Sequence, residues 1–457
     1  MPNQSLDSLY PIKIDSGDRR WQIIWAVFFS ILLITSLTAA HSLGIVFGVL
    51  GLSAFGLGWA WNRLALRRIF YERNFSQDRF FYGDDIYLEI VLTNRKPVPL
   101  AWIKIEDDLP IGLATTDGEL RRNLTSGIDS LQISSAAAWY ERIRWKYELQ
   151  VAGRGEYKVG PARVDSGDPF GFLRSQLTIT KNDGLIVYPK VYPMEQLGIL
   201  PARPLGDIRG GIEIFPDPSR PAGIRDYQVG DPLKTVDWKT TARVGKLMVK
   251  TFEPSSYHTV ILAVAVDTAE PYWMSESPED LERVISVAAS VAIYIGDMEY
   301  SIGLYSNDMP LAPGRSMTIP PASEPEHLQN VLTSLALTRT FALGRMANEL
   351  AEQSRKFPYG ATIVLCTHLI TEEMSETLRD LKRRGFRLTV LYTGEEELSG
   401  KLPEGIAFHP LREHIDRLEV EGGEIRPAET APRSQYSEDT QILEKDQEEA
   451  IIGANQE

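Results

Sequence analysis

Two uncharged apolar runs constrain this chain more than any other feature: WQIIWAVFFSILLITSLTAA (Trp21–Ala40) and LGIVFGVLGLSAFGLGWAW (Leu43–Trp61). A helix of ~20 residues, rising ~1.5 Å per residue, crosses the ~30 Å hydrocarbon core of a bilayer. Only His41 and Ser42 separate the runs, so residues 21–61 are expected to form a tight transmembrane helical hairpin. Trp21, Trp25, Trp59 and Trp61 fall near one interface, as aromatic belts do. Gly44, Gly48, Gly51, Gly56 and Gly58 give small surfaces on which helix backbones approach closely. Lys13, Arg19 and Arg20 precede the first run and Arg63, Arg67 and Arg68 follow the second, while the turn carries no Lys or Arg. The positive-inside rule then predicts a multi-pass protein of the inner (cytoplasmic) membrane, with both termini and the soluble domains cytoplasmic. A cleaved signal peptide is the rival reading, since SLTAA could pass as a cleavage site; the apolar region is long for one and a second run follows at once.

The remainder divides by pattern. Residues 1–20 read as a cytoplasmic N-terminal segment. Residues 69–200 carry short alternating runs such as DIYLEIVLTN and RIRWKYELQV between Gly, Pro and Asn breaks, which predicts an all-β, sandwich-like domain. DSGDPFGFLR (Asp165–Arg174) is a turn-rich excursion within it. Residues 201–257 read as a Gly/Pro-rich connector followed by a charged stretch. From 258 to 425 continuous apolar runs (HTVILAVAVDT, ATIVLCTHL, FRLTVLYTG) alternate with helical spacing, which predicts an α/β domain with a mostly parallel sheet and helices on both faces. Ser277 is the expected N-cap of one helix, with Pro278 in its first turn. The Glu-, Gln- and Pro-rich segment 426–457 reads as a disordered acidic tail.

The formal charge of −14 argues against general nucleic-acid binding, which needs a basic face to displace phosphate counterions. One cysteine, Cys366, excludes an intrachain disulfide and any Cys-rich zinc site. The densest stretch is GIRDYQVGDPLKTVDWKTTARVGKLMVK, residues 223–250. It holds no Cys or His, and no Ser beside a base, so a nucleophile–base pair is missing. Three readings of it stand. In a structural reading Tyr227 and Trp238 anchor a turn to the core while the charges pair with one another. In a docking reading Arg225, Lys234, Lys239, Arg243 and Lys246 present a basic patch to an acidic partner or an anionic leaflet. In a catalytic reading Asp226, Asp231 and Asp237 act as acid–base groups, which would require a pocket that shifts their pKa values.

This stretch resembles the signature of a bacterial domain-of-unknown-function family, number 58, through Arg225, Asp226, Tyr227, Gly230, Asp231, Lys234, Asp237, Trp238, Thr241, Ala242 and Arg243. The upstream GDPFGFLR and VYPKV are similar to further elements of the family in the same order. The resemblance implies a von Willebrand factor A-like α/β domain behind two membrane helices and a β-rich segment. It implies no established enzymatic activity. The partners it implies are MoxR-type AAA+ ATPases or other von Willebrand A-like proteins, in complex assembly or maturation. Domains of that type often hold Mg²⁺ through a D-x-S-x-S loop. Here Asp267 stands in place, but Ala269 and Pro271 occupy the serine positions, so the site reads as a remnant and no cofactor is expected. The expected function is therefore a non-enzymatic, membrane-anchored interaction or scaffold protein. The alternative is a Mg²⁺-dependent metal-binding domain or hydrolase using Asp267 and the signature aspartates.

Overall fold

The computed structural model describes residues 12–16, 19–122, 127–199, 216–227, 236–254, 259–274, 277–308, 317–358, 360–395 and 402–421. The connector 201–215, the tail 426–457 and the signature positions Gly230, Asp231 and Lys234 lie outside the described residues. The described residues fall into two compact units, one within Met1–Lys190 and one within Val191–Arg426.

The first unit joins two helices to several sheets. The helices Arg19–Thr38 and Ser42–Ala65 pack side by side. Glycines make the approach close: a Cβ on Gly48 would meet the Leu33 backbone at 2.9 Å, and one on Gly51 would meet the Phe29 ring at 2.2 Å. Among the described residues, Ser42–Ala65 alone is long and apolar enough to cross a membrane; the apolar part of the other helix is the shorter Ile23–Thr38. Ile23, Val27, Ile31, Ile34, Phe47 and Leu50 all lie exposed on this helix pair.

The β-rich part follows from period-two alternation. Ile86, Leu88, Ile90 and Leu92 of the strand Ile86–Asn94 are all fully buried, so one face of the pleat is apolar. That strand belongs to a four-stranded antiparallel sheet ordered Ile69–Phe75, Ile86–Asn94, Arg142–Val151, Leu113–Thr115. A six-stranded sheet runs Ile12–Ser16, Arg174–Ile179, Ala162–Gly167, Leu100–Pro110, Ile128–Ala137, Glu119–Arg121. The inner faces of the two sheets share one core, in which Ile90 and Leu92 meet Ile105, Leu131 and Val164. The outermost strand of the larger sheet, Ile12–Ser16, lies in the segment that the sequence left without structure.

Burial of charge is concentrated at Arg73 in this unit. Its guanidinium bonds Asp107 at 2.7 Å and Asp183 at 2.8 Å, and donates to the carbonyls of Lys181 and Val159. The Tyr71 hydroxyl donates to the same Asp107 oxygen at 2.5 Å. Burial pushes the Asp107 carboxyl up although Arg73 and Tyr71 pull it down, and burial together with the Asp107 charge pushes the Tyr71 phenol well up.

The second unit is built on a mixed sheet ordered Thr318–Ala322, Ser301–Ser306, Thr259–Val264, Thr362–Thr367, Arg387–Tyr392, Ala407–Pro410, parallel except for its first pair. Ile261, Ala263 and Ala265 pack with Met346, Leu350, Met374 and Leu378 of the helices Met346–Gln353 and Glu372–Arg383. Val260, Leu262 and Val264 are equally buried and point to the other face, where the helix Pro278–Asp297 packs on the strands. That helix starts as its sequence demands: Ser277 caps it, its hydroxyl accepting from the Asp280 N–H, and Pro278 needs no donor partner there. The strand Thr259–Val264 leads to Ser301–Ser306 on one side, and the chain returns to Thr362–Thr367 on the other. The order reverses between these two neighbours, and the crevice at their carboxyl ends is where open α/β sheets bind ligands.

Candidate functional site

Asp267 lies at this switch point, three residues beyond the end of Thr259–Val264. Asn307, just past the neighbouring strand, holds the turn. Its side-chain oxygen accepts from the Val266 N–H at 2.8 Å, and its amide donates to Asp267 at 2.9 Å and to the Gly344 carbonyl at 2.8 Å. The other Asp267 oxygen accepts from the Met346 N–H, at the start of the helix Met346–Gln353, at 3.1 Å. Burial pushes the Asp267 carboxyl above the usual carboxylate range, against the pull of Met346, Asn307 and the nearby Arg345 charge.

A small cleft is lined by Asp267, Ala269, Glu270, Tyr272, Arg345 and Thr371, among others. Asp267 and Glu270 are the carboxylates in its wall. Thr371 is engaged as N-cap of Glu372–Arg383, accepting from the Met374 N–H, and Arg345 pairs with Glu373. A divalent cation wants several hard oxygen ligands. At Asp267 it would compete with donors already seated on both carboxylate oxygens. The arrangement serves at once to fix three loops at the carboxyl edge of the sheet.

Beside it a second polar cluster gathers that the sequence did not reveal. Asp280 meets Arg283 at 3.2 Å, Arg412 at 3.3 Å and His368 Nδ1 at 3.7 Å. Burial would raise the Asp280 carboxyl, but Ser277 and the surrounding cations outweigh it and hold it lowered. Burial pushes the His368 imidazole down, with Asp280 opposing and Arg412 and Arg283 reinforcing. Arg283 is one turn along the same helix, but His368 and Arg412 come from two other segments, which no local spacing announces. Cys366 is fully buried, with its thiol pushed up by burial, as suits a core filler.

The signature forms a small element within the same unit. The strands Pro216–Asp226 and Met248–Pro254 pair antiparallel, and Val236 bridges to Val249. Between them the helix Trp238–Val244 is capped by Asp237, whose carboxylate accepts from the Lys239 and Thr240 N–H groups at 3.0 and 3.1 Å. The Thr241 hydroxyl accepts from the Met248 N–H at 3.0 Å, tying the helix to the strand. Gly245 ends the helix in the left-handed region at φ 74°, where glycine is favoured. Asp237 and Thr241 thus have backbone-organising work.

The structural reading of Trp238 is corrected here: the indole is 65 % exposed and does not anchor the element to the core. Tyr227 is half-buried, with its N–H on the Leu247 carbonyl. Asp226, Ala242 and Arg243 are exposed, and Arg225, also exposed, donates to the Asp226 carbonyl oxygen. The buried anchors are Val236 and Val249. Lys239, Arg243, Lys246, Val244 and Leu247 lie exposed around Trp238 on this element, giving a basic surface with an aromatic at one end.

Together these features define a mixed α/β protein: a mostly parallel sheet preceded by a signature hairpin and helix, a β-rich unit, and an apolar N-terminal helix long enough to cross a membrane. Residues 223–403 match the family described as protein of unknown function DUF58. That span takes in both the signature and the Asp267 edge. The uncharacterized protein YeaD of Bacillus subtilis (strain 168) is 27 % identical over 433 residues, covering 89 % of this chain and 99 % of YeaD. Solved structures give weak likenesses. A non-cellulosomal cohesin from Archaeoglobus fulgidus is 10 % identical, covering 26 % of this chain and 90 % of its own, with a TM-score of 0.17. The collagen-binding domain of a Staphylococcus aureus adhesin is 11 % identical, covering 26 % and 96 %, with a TM-score of 0.17. At these scores neither bears on fold or function.

Proposed function

We propose that this is a membrane-anchored interaction protein whose signature element is a docking surface at the cytoplasmic face. In this reading the two N-terminal helices form a transmembrane hairpin and carry a sandwich-like β domain. The parallel-sheet unit is a von Willebrand A-like module. Its partner is a MoxR-type AAA+ ATPase, with which it works in the assembly or maturation of complexes. The observation that supports this most is Trp238. It lies exposed on the same short helix as the exposed Arg243, and the Asp237 cap and the Thr241 bond to the strand behind hold that helix as a fixed scaffold. Trp and Arg are also the residues most enriched among those that dominate binding energy.

The test uses the full chain in mild detergent, captured with the MoxR-type ATPase of the same organism. Trp238→Ala and Arg243→Glu should each weaken the complex by tenfold or more, about 1.4 kcal/mol, with thermal unfolding unchanged. A complex untouched by both substitutions would remove the signature element as the docking surface.

A further inference from the structure

Within the stretch Asp165–Arg174, residues 168–173 leave the strands Ala162–Gly167 and Arg174–Ile179 and touch the helices. Asp168, fully buried, sits against the second helix: its carboxylate lies 3.1 Å from where a Cβ on Gly58 would be. The Phe172 ring packs edge-on against Trp25 of the first helix at 5.5 Å and near Phe29 at 6.5 Å. Phe170 stands 6.1 Å from Phe172 and is 52 % exposed.

The loop is built to hold this shape. Both Asp168 oxygens are taken by backbone donors, one by the Leu173 N–H at 2.5 Å and the other by the Phe170 N–H at 3.0 Å. Gly171, at φ 78°, closes the turn with its N–H on the Asp168 carbonyl. A Cβ on Gly167 would fall 2.1 Å from the Leu173 carbonyl oxygen, so the two ends of the loop are pressed together. A carboxylate with its lone pairs satisfied internally is the form in which such a group tolerates an apolar surrounding.

Its level along the helices is defined from both sides. Trp25 is about 9 Å along the first helix from Arg19, and Gly58 is about 8 Å before Arg63 on the second, at ~1.5 Å per residue. Leu57 and Trp59, flanking Gly58, are exposed, and Arg63 lies over the Trp59 ring. The loop therefore meets the helices just inside the basic ends and at the edge of their exposed apolar surface. That is the depth of about 5–10 Å below the headgroups at which interfacial elements lie.

From this we infer that Asp165–Arg174 is an interfacial wedge: Phe170 enters the boundary between lipid headgroups and acyl chains, and Phe172 and Asp168 lock the β-rich unit to the helix pair at that depth. The inference rests on the helices being membrane-embedded, and the occupant of the exposed Phe170 surface is lipid. Its consequence is a β-rich unit held at fixed height and orientation on the bilayer.

Nitroxide accessibility tests it. The only cysteine, Cys366, is buried, so the wild-type chain provides the label-free background. Phe170→Cys, Ile34→Cys and Gln150→Cys are labelled in the full chain and reconstituted in phosphatidylcholine–phosphatidylglycerol bilayers. Ile34 lies exposed on the first helix. Gln150 lies exposed roughly 26 Å along a strand whose first residue pairs with Thr93, itself paired with Phe70 a few residues past the second helix. The ratio of oxygen to nickel-complex collisions at 170 should stand roughly threefold or more above that at 150, and below that at 34, as a depth of about 5–10 Å requires. A water-like ratio at 170 with a lipid-like ratio at 34 overturns the wedge and leaves the membrane reading standing. A water-like ratio at 34 overturns both.

Discussion

Arg73 and Arg243 sit in stretches of similar make-up, IFYERNF and DWKTTAR, each mixing aromatics with charge. Arg73 is buried, with Asp107 and Asp183 on its guanidinium and Tyr71 joining from two residues away. Arg243 is exposed, on a short helix that begins with an exposed Trp238. The difference lies in the partners. Asp107 and Asp183 arrive from strands 34 and 110 residues further along the chain, and the sheets bury whatever they bring together. Around Arg243 the nearby acidic residue Asp237 is spent on capping its own helix. Density of charge in a sequence therefore does not locate an ionic core, whereas long-range pairing does.

The largest expected effect sharpens this contrast. Arg73→Met leaves Asp107 buried without its cation and should destabilise the β-rich unit by about 3–5 kcal/mol. Urea unfolding of the solubilised chain measures it, and Arg73→Met with Asp107→Leu should recover much of the loss. A cost for Arg73→Met below that of an ordinary surface change would break the comparison. Next comes Asp267→Ala, which strands the Met346 N–H and one Asn307 donor and should cost about 1–3 kcal/mol. Calorimetry with Mg²⁺ on the same pair of proteins reads the metal question directly: tight binding lost in the variant would revive Asp267 as a ligand. The smallest effects divide the signature. Asp237→Ala removes a cap and should cost ~1 kcal/mol, whereas Trp238→Ala should stay within about 0.5 kcal/mol. If Trp238→Ala proves the costlier of the two, the indole is an anchor and the docking surface loses its main support.

The strands of the parallel sheet were legible because burial on both faces demands continuous apolar runs, and TVILAV and TIVLCT leave little else to be. The start at Ser277-Pro278 was legible because capping chemistry is local. What escaped is non-local or edge-placed. The strand Thr318–Ala322 reads TIPPA, and prolines hide a strand that survives only at a sheet edge. The helix Arg412–Glu421 brings Arg412 to Asp280 across more than a hundred residues. At the candidate site Asp267 was singled out through the family resemblance, whereas Asn307, which bonds to it, lies 40 residues on and belongs to no motif. The structural reading misplaced Trp238 for a simpler reason: apolar area favours burial on average, and an average does not decide where a single residue lies.

The pairing of Ile12–Ser16 with Arg174–Ile179 has a consequence in time as well as in space. The first strand is synthesised before either helix, yet its partner is not made until roughly 160 residues later, which at about 5–20 residues per second is on the order of ten to thirty seconds. During that interval the strand has an open edge, and both helices, encoded in between, are made before the sheet can close. Closing the sheet afterwards ties the segments on either side of the helix pair into one folded body. If the helices enter a bilayer as proposed, the order of the chain itself places insertion ahead of folding, and a nascent protein that folded its sheet early would do so with its most apolar surface still in water.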